Sequence, residues 1–485
     1  MGYDAAAQVR VARSGSGPQG QKCGFPYQRE PPIAPYNNTV GSFFVENFGC
    51  RATQADGAAI ERQLLDRGLA RSGSADGAEV VVLNTCTVTA SADQDARAAI
   101  RRIRRANPEA RIVVTGCYAQ RAPEEIAKLE GVSLVIGNSH KHALPELMAN
   151  LAPRSFVPLA SIGIGVQAAP VVVGNIFAHT ELLAAPVFDS ESAAERTRPN
   201  LKVQDGCNNR CSFCVIPYVR GKSRSLTLDS VLREVDALVE AGYQEIVLSG
   251  INLGRWGIDL RPRLGFEYLL RTILEKTGIP KIRISSVEPM DWSNELIAMV
   301  AESPRVCKHA HVPLQSGSDR ILRKMHRRYR PWHYADRVQR VRAAMSTAAI
   351  GADVMVGFPG ETDEHFEETR SFIASLPFTY LHVFTYSSRP GTLSASMAEQ
   401  VTVHLARERN KVLRDLVAAK KQAFLHSLVG SEVEAVTLTV QSENSTEALT
   451  DNYQKLRLAG RHGSNQLLRA RVEAVDGETL VGPQI

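Results

Sequence analysis

Apolar residues first fall into strand-like and helix-like spacings at Phe43. Runs at 43–48, 79–84 and 111–115 have the dense apolar character of buried strands, while 55–67, 90–106 and 123–130 carry apolar positions three and four apart, the last opened by Pro123. Strand and helix alternating at this spacing predict βαβ units and an open parallel sheet. A second series starts at Leu201, with strands at 201–204, 244–249, 281–285, 308–313, 350–356 and 380–385 and helices near 227–241, 266–276, 293–303, 332–345 and 363–375 between them. That many βα units in about 225 residues predict a partial (βα)6 barrel, smaller than the eightfold one, with its site at the strands' carboxyl ends. A basic helix near 403–426 then leads into short β-prone runs such as 432–440 and 467–475, which predict a small terminal β-barrel.

The expected class is α/β, in five segments: a disordered extension (1–40), an α/β sheet domain (41–150), an apolar inter-domain insert (151–197), the barrel core (198–428) and the β domain (429–485). Composition agrees, since 485 residues at 44% apolar and 22% charged describe a globular chain of about three domains and exclude a small disulfide scaffold. Residues 1–30 lack a continuous apolar run of the signal-peptide kind, so the expected location is cytoplasmic and the thiols are expected to be reduced. Residues 155–180 carry no Asp, Glu, Lys or Arg and are long enough to cross a bilayer, but Pro158, Gly163, Gly165, Gln167, Pro170, Gly174 and Asn175 would break or polarise such a helix. No membrane partner is expected, a span there being the alternative.

Eight cysteines carry the chemistry. Cys50, Cys86 and Cys117 each fall within about three residues after a predicted strand, at the edge where open α/β sheets bind ligands, so the three are expected to meet. Cys207, Cys211 and Cys214 form a C-x3-C-x2-C just after the first barrel strand. Three thiolates can hold a cubane iron–sulfur cluster and leave one iron without a protein ligand, and an open coordination position is the mark of a catalytic metal site. The alternatives are a zinc knuckle, for which no fourth ligand is adjacent, and three buried core thiols. Cys307, His309 and His311 alternate on one strand face, which suits core packing with hydrogen-bonded histidines better than a metal site. Cys23 has no assigned role.

The C-x3-C-x2-C with Phe213 before its third cysteine resembles the radical S-adenosylmethionine (SAM) enzymes. The resemblance implies a [4Fe–4S] cluster on Cys207, Cys211 and Cys214 whose open iron chelates SAM, reductive cleavage to a 5′-deoxyadenosyl radical, and Phe213 beside the adenine. Phe48-Gly49-Cys50-Arg51-Ala52-Thr53-Gln54, Asn84-Thr85-Cys86-Thr87-Val88-Thr89 and Thr115-Gly116-Cys117-Tyr118-Ala119-Gln120 look like the three cluster motifs of the methylthiotransferases. They imply a second [4Fe–4S] cluster carrying the sulfur to be inserted, with a reduced flavodoxin- or ferredoxin-type electron donor as partner and the sulfur donor left open. Ala92-Asp93, Gln204-Asp205-Gly206-Cys207, Ile216-Pro217-Tyr218 and Arg220-Gly221-Lys222-Ser223-Arg224-Ser225 are similar to the branch acting on N6-threonylcarbamoyladenosine beside the tRNA anticodon. The implied reaction adds a methylthio group to C2 of that adenine, which must be turned out of its stack. Ser249 and Gly250 are placed for the methionine end of SAM, Ser286 and Glu288 for its ribose, and Gln315 lies in a further family segment.

For the tRNA anticodon loop, the segment Arg320 to Arg342 holds eight Arg and one Lys against a single acid, Asp336, with Tyr329, Trp332, His333 and Tyr334 interleaved. Arg323, Arg327, Arg328 and Arg330 are the expected phosphate contacts. The terminal β domain resembles an RNA-associated TRAM module, yet 430–485 is acidic, so its contacts are expected from Lys455, Arg457, Arg461, Arg469 and Arg471 on one side. Alternatives are the isopentenyladenosine branch, the branch modifying a ribosomal-protein aspartate and, outside the enzymes, an RNA-binding protein with structural zinc.

Overall fold

The computed structural model describes residues 41–149, 168–179, 182, 197–442 and 444–485. The extension with Cys23 and most of the apolar insert lie outside the described residues. The first sheet holds β1 (Ser42–Asn47), β2 (Ala70–Arg71), β3 (Val80–Thr85), β4 (Arg111–Gly116), β5 (Val132–Gly137) and β6 (Val171–Val172), in the order β2-β1-β3-β4-β5-β6 and parallel throughout. β3 is buried along its whole length because helices cover both faces, which is why its sequence is a continuous apolar run rather than an alternation. Alternate residues still go to opposite sides: Val81, Leu83, Ile112 and Val114 pack on the helix Ala90–Ala106, and Val80, Val82 and Val113 pack with Ile60 and Leu64. β6 comes from the expected insert, so part of that segment completes the sheet as its edge strand. Among the described residues no helix is long and apolar enough to cross a membrane.

The second region contains β7 (Asn200–Asp205), β8 (Arg224–Ser225), β9 (Glu245–Gly250), β10 (Lys281–Ile284), β11 (His309–His311), β12 (Ala349–Val356) and β13 (Tyr380–Thr385). They form two sheets, β10-β9-β7-β8 and β11-β12-β13, joined by a parallel bridge between Ile282 and Val306. β7, β9, β10, β11, β12 and β13 are parallel, as the βα alternation predicts, and β8 returns antiparallel on β7. One apolar core fills the interior, with Trp256 and Trp292 wholly buried in it.

The amino ends of these strands are closed by charge. Arg283 donates to Glu245 at 2.7 and 3.0 Å and to the Thr450 and Asp451 carbonyls at 3.0 and 2.9 Å, tying the terminal domain onto the barrel. Cys307 lies beside Glu245, and burial pushes its thiol up to about 12. His309 hydrogen-bonds Tyr380 at 2.7 Å and His311 hydrogen-bonds Ser286 at 2.7 Å, in keeping with core packing of these histidines. The terminal domain is strand-rich and mostly antiparallel: β14 (Glu432–Gln441), β15 (Ser445–Thr450), β16 (Lys455–Ala459), β17 (Leu467–Arg471), β18 (Ala474–Asp476) and β19 (Thr479–Gly482), ordered β17-β14-β15-β16-β19-β18. The apolar run at 467–475 is thus two strands that part after Arg471.

Candidate functional site

Three adjacent parallel strands deliver the first three cysteines. Cys50 caps the helix Arg51–Leu65 after β1, Cys86 follows β3 directly, and Cys117 opens the helix Cys117–Arg121 directly after β4. Neighbouring parallel strands end on one edge, so residues 36 and 31 positions apart become neighbours. The loop before Cys50 crosses so close to Cys86 that a Cβ on Gly49, whose φ is +108°, would stand 2.7 Å from the Cys86 Cβ. Only glycine permits that approach. Burial, then Cys117, and in smaller part Cys50, push the Cys86 thiol up to about 12.

The second trio sits on the loop after β7. Burial pushes the Cys214 thiol up to about 12, with Cys211 and Cys207 adding to the shift, and burial likewise raises Cys207. Every one of the six sulfurs has a polar neighbour placed for it: Thr53 Oγ1 lies 3.8 Å from Cys50, the Val88 amide donates to Cys86 at 3.5 Å and Asn138 to Cys117 at 3.5 Å. In the loop trio the Asn209 amide and Asn252 Nδ2 donate to Cys207 at 3.4 and 3.7 Å, Arg327 Nη1 to Cys211 at 3.3 Å, and the Ile216 amide to Cys214. Donors aimed at sulfur suit thiolate ligands, and their number and geometry tune an iron–sulfur centre. Among the described residues no three His, Cys, Asp or Glu side chains converge as ligands of a single ion do. The ligands of a cubane stand apart on separate irons, so both trios fit that larger group by their donor set.

One short segment links the trios. The helix Ile216–Arg220 starts two residues after Cys214, and Val215 and Val219 pack against Cys117. Val215 is the residue after Cys214, so the segment that follows the loop trio touches Cys117. Asn138 spans the join, donating to the Val219 carbonyl at 2.8 Å as well as to Cys117. Beyond it lies a buried charge network that sequence inspection missed. Arg220 donates to Asp56 at 2.9 Å and to Asp205 at 3.1 Å, Lys141 to Asp56 at 3.0 Å, and Lys202 to Asp205 at 3.2 Å and also to Asp56. Asp205 in turn accepts from the Gly206 amide at 2.8 Å, immediately before Cys207. The one visible signal is that Asp205 and Arg220 flank the C-x3-C-x2-C motif.

The expected SAM-contacting residues lie at the carboxyl ends of barrel strands or on the loops that follow them. Ser249 Oγ, Asn252 Oδ1 and Ser285 Oγ are buried there without a hydrogen-bond partner, which is the state of groups that await a polar ligand. Gly250 closes β9, Ser286 is shared with His311, and Gln315, at φ +68°, joins β12 through its amide to the Asp353 carbonyl at 2.8 Å. Phe213 packs edge-on to Phe358 with ring centres 6.4 Å apart. Glu288 is ion-paired to Arg327 rather than left open, so ribose recognition there would act beside that pair.

The four arginines expected at RNA phosphates are placed differently. Arg327 is buried, divided among Cys211, Glu288 and Tyr329, and belongs to the loop-trio centre. Arg330 is turned back onto the Arg327 and Tyr329 carbonyls at 2.9 Å each, and Arg323 pairs with Asp319 at 2.9 Å. Arg328 alone of the four has an exposed position with no ion pair to a carboxylate among those described. Tyr329 and Tyr334 are buried, their hydroxyls bonded to the Leu314 and Val312 carbonyls, while Trp332 is exposed. In the terminal domain Arg457, Arg469 and Arg471 pair with Asp476, Glu434 and Glu432, on strands at different places in the sheet. The large basic surface is elsewhere: a groove of about 1310 Å³ between β13, the helix Val403–Ser427 and the terminal domain, edged by Thr89 and Ser91. Arg198, Arg407, Lys411, Arg414, Lys421 and Lys455 line it against Asp415 and Glu478, Lys421 being paired with Glu478 and Arg198 with Glu245, and Phe384 is exposed within it.

Two family models match, the radical SAM superfamily over residues 201–373 and Uncharacterized protein family UPF0004 over residues 42–137. The first carries with it SAM and a [4Fe–4S] cluster. The chain is 36% identical to the threonylcarbamoyladenosine tRNA methylthiotransferase MtaB of Aquifex aeolicus over 88% of its own length and 99% of that protein's. It is 36% identical to the MtaB of Bacillus subtilis, over 85% and 89%, and 34% identical to the tRNA-2-methylthio-N(6)-dimethylallyladenosine synthase of Saccharopolyspora erythraea, over 91% and 86%. Among solved structures, the radical SAM methyltransferase TsrM of Kitasatospora setae shares the fold at a TM-score of 0.54 and 16% identity, over 74% of this chain and 77% of that one. With relatives this similar along nearly its whole length and both cysteine trios in place, the chain belongs to the radical SAM methylthiotransferase family, enzymes that transfer sulfur-containing groups.

Proposed function

We propose that the protein is a tRNA methylthiotransferase that adds a methylthio group to C2 of N6-threonylcarbamoyladenosine beside the anticodon, using two [4Fe–4S] clusters and SAM in the cytoplasm. The observation that carries this reading is the pair of three-cysteine sets joined by the helix Ile216–Arg220. When bound, these groups supply one-electron radical chemistry able to remove an unactivated aromatic hydrogen, together with the sulfur that replaces it. Cys207, Cys211 and Cys214 hold the cluster that binds SAM, and Cys50, Cys86 and Cys117 hold the other. Arg327 keeps Cys211 and Glu288 in register by donating to both. Ser249, Ser285 and Asn252 offer their unpartnered polar atoms to SAM, and Phe213 offers its ring. Electrons come from a reduced flavodoxin- or ferredoxin-type donor.

The basic groove is the seat of the anticodon arm. Its cations suit phosphates, and Phe384, His382 and Tyr453 offer rings on which a base turned out of the loop can stack. It borders the loop after Cys86, where the Ala90 amide donates to Ser387 at 3.0 Å, so RNA bound there lies beside the sulfur-carrying centre. The relative acting on dimethylallyladenosine at 34% identity supports a second reading with that base as substrate. Mass spectrometry of tRNA nucleosides from cells with and without the gene decides between them. Loss of 2-methylthio-N6-threonylcarbamoyladenosine is expected; loss of the dimethylallyl product instead would establish the second reading, and no change in either nucleoside would remove both.

A further inference from the structure

Arg51 is the only charged residue in the three motifs that carry Cys50, Cys86 and Cys117, and it follows Cys50 directly. It is half-buried, its guanidinium donates to the Tyr453 hydroxyl at 3.1 Å, and it lies 5.8 Å from the centre of that ring. Among the described residues no carboxylate forms an ion pair with it. Arg283, the second guanidinium on the Tyr453 ring at 5.4 Å, is the contrast, because Glu245 and the Thr450 and Asp451 carbonyls take its N–H groups. A guanidinium presents five N–H donors in a planar fork that fits a carboxylate through two parallel bonds. On Arg51 the fold fills that fork with one neutral hydroxyl.

Tyr453 also places Arg51 at the groove. It lines the groove, and its ring begins a ladder along β13: Tyr380 at 5.7 Å, then His382 at 5.4 Å from Tyr380, then Phe384 at 6.4 Å from His382. Residues 380, 382 and 384 alternate and so share one face of the strand. A base stacked on this ladder has Thr89 and Ser91, from the chain after Cys86, at its edge and Arg51 at its Tyr453 end. In adenine, N1 alone separates C2 from the carbon that bears N6. A base whose C2 faces the sulfur-carrying trio therefore holds its N6 substituent within reach of residues next to that trio. The threonylcarbamoyl substituent carries a carboxylate, whereas the dimethylallyl substituent is neutral and apolar.

We propose that Arg51 is a specificity-determining residue of this site: it binds the carboxylate of the threonylcarbamoyl group through the N–H groups that Tyr453 leaves open, and so favours that base over the dimethylallyl one. The proposal rests on reading the base in the groove as N6-threonylcarbamoyladenosine held beside the sulfur-carrying trio. A cation built to pair with a substrate carboxylate discriminates strongly, because an analogue without the carboxylate leaves the guanidinium desolvated and unpaired.

The test measures equilibrium binding of the full chain, without turnover, to one anticodon stem-loop RNA made in four forms. The base beside the anticodon is N6-threonylcarbamoyladenosine, the same group with a neutral carboxamide in place of its carboxylate, dimethylallyladenosine, or adenosine. The parent is expected to bind the carboxylate form about tenfold or more tighter than the carboxamide form, the scale of a charge-assisted hydrogen-bonded pair. Arg51→Gln is expected to bind these two forms equally, with its affinity for the adenosine form unchanged. Arg51→Lys recovers part of the preference, since the charge remains and the fork does not. A general loss of structure would weaken all four RNAs together and leave the carboxylate-to-carboxamide ratio where it was. Should Arg51→Gln bind no RNA, Arg51→Lys carries the measurement through the reduced ratio. A parent that binds the carboxylate and carboxamide forms equally, or Arg51 variants that keep the full preference, overturn the proposal and leave the tRNA reading standing. A parent that binds the dimethylallyl form tightest overturns the substrate reading itself.

Discussion

Cys207, Cys211 and Cys214 lie within eight residues on one loop, whereas Cys50, Cys86 and Cys117 are gathered from three β–α turns spread over 68 residues. The loop trio has its spacing written in the chain, and tertiary structure adds only the hydrogen bonds to its sulfurs, Arg327 and Asn252 above all. The sheet trio exists only when β1, β3 and β4 are paired, because nothing local holds its members together. Any group held by all three there would be bound to folding of the first sheet in a way that a group on the loop is not. The charge settings differ as well. Arg327 reaches Cys211 of the loop trio directly, with Glu288 as its partner, while beyond the sheet trio Lys141, Lys202 and Arg220 gather on Asp56.

The largest expected effect separates the trios outright. Cys211→Ala reduces SAM cleavage to background, while Cys86→Ala leaves cleavage and removes methylthio insertion, both read by 5′-deoxyadenosine release and nucleoside mass spectrometry. Equal losses in the two variants would erase the division of labour.

Next comes Arg327, which the basic run assigns to RNA and the fold assigns to Cys211. Arg327→Gln is expected to slow SAM cleavage about 10–100-fold, the usual cost of losing a hydrogen bond behind a metal ligand, and to leave tRNA affinity unchanged. Arg327→Lys recovers little, since a point charge cannot reach Cys211, Glu288 and Tyr329 together. A fall in tRNA affinity with cleavage intact would return Arg327 to the RNA surface.

A smaller change tests the groove. Arg414→Ala and Lys411→Ala should each weaken tRNA binding several-fold and reduce the slope of log affinity against log salt by about one, as loss of a phosphate contact does. Arg323→Ala, whose guanidinium is paired with Asp319, is the control expected to change neither.

The smallest effect compares the thiols without metal. Cys86 and Cys214, pushed up to about 12 by burial, stay protonated at pH 8, whereas Cys50 is exposed. Since thiolate is the reactive form, alkylation of the metal-free chain at pH 8 should, within the two trios, label Cys50 first and Cys86 and Cys214 last, by mass spectrometry of the peptides. For the same reason loading either trio with metal releases protons, so affinity falls as pH falls.

Much of this was legible without coordinates. Strand and helix periods placed β1, β3, β4 and the six parallel barrel strands within a residue or two, because a strand covered on both faces must be apolar throughout and a covering helix must be apolar along one stripe. The strand ends that carry Cys50, Cys86, Cys117, Ser249 and Gly250 were likewise readable. Short pairings such as β2, β6 and β8 were not, since two residues of backbone bonding leave no hydrophobic pattern.

Charge is where the chain alone misleads. The run from Arg320 to Arg342 looks like one surface, yet Arg327 and Tyr329 turn inward, Arg330 caps backbone carbonyls and Arg323 meets Asp319. Composition records how many cations are nearby and not which carboxylate, carbonyl or sulfur each one finds. The partners of Arg220 at Asp56 and of Lys202 at Asp56 are 164 and 146 residues away. The sequence by itself determined the fold class, the two cysteine sets and the family, because those rest on local period and spacing. Only the tertiary structure decided which carboxylate, carbonyl or sulfur each cation meets and which cations line the groove, because a charge's partners are set by the through-space neighbours and desolvation it meets once the chain has closed around it.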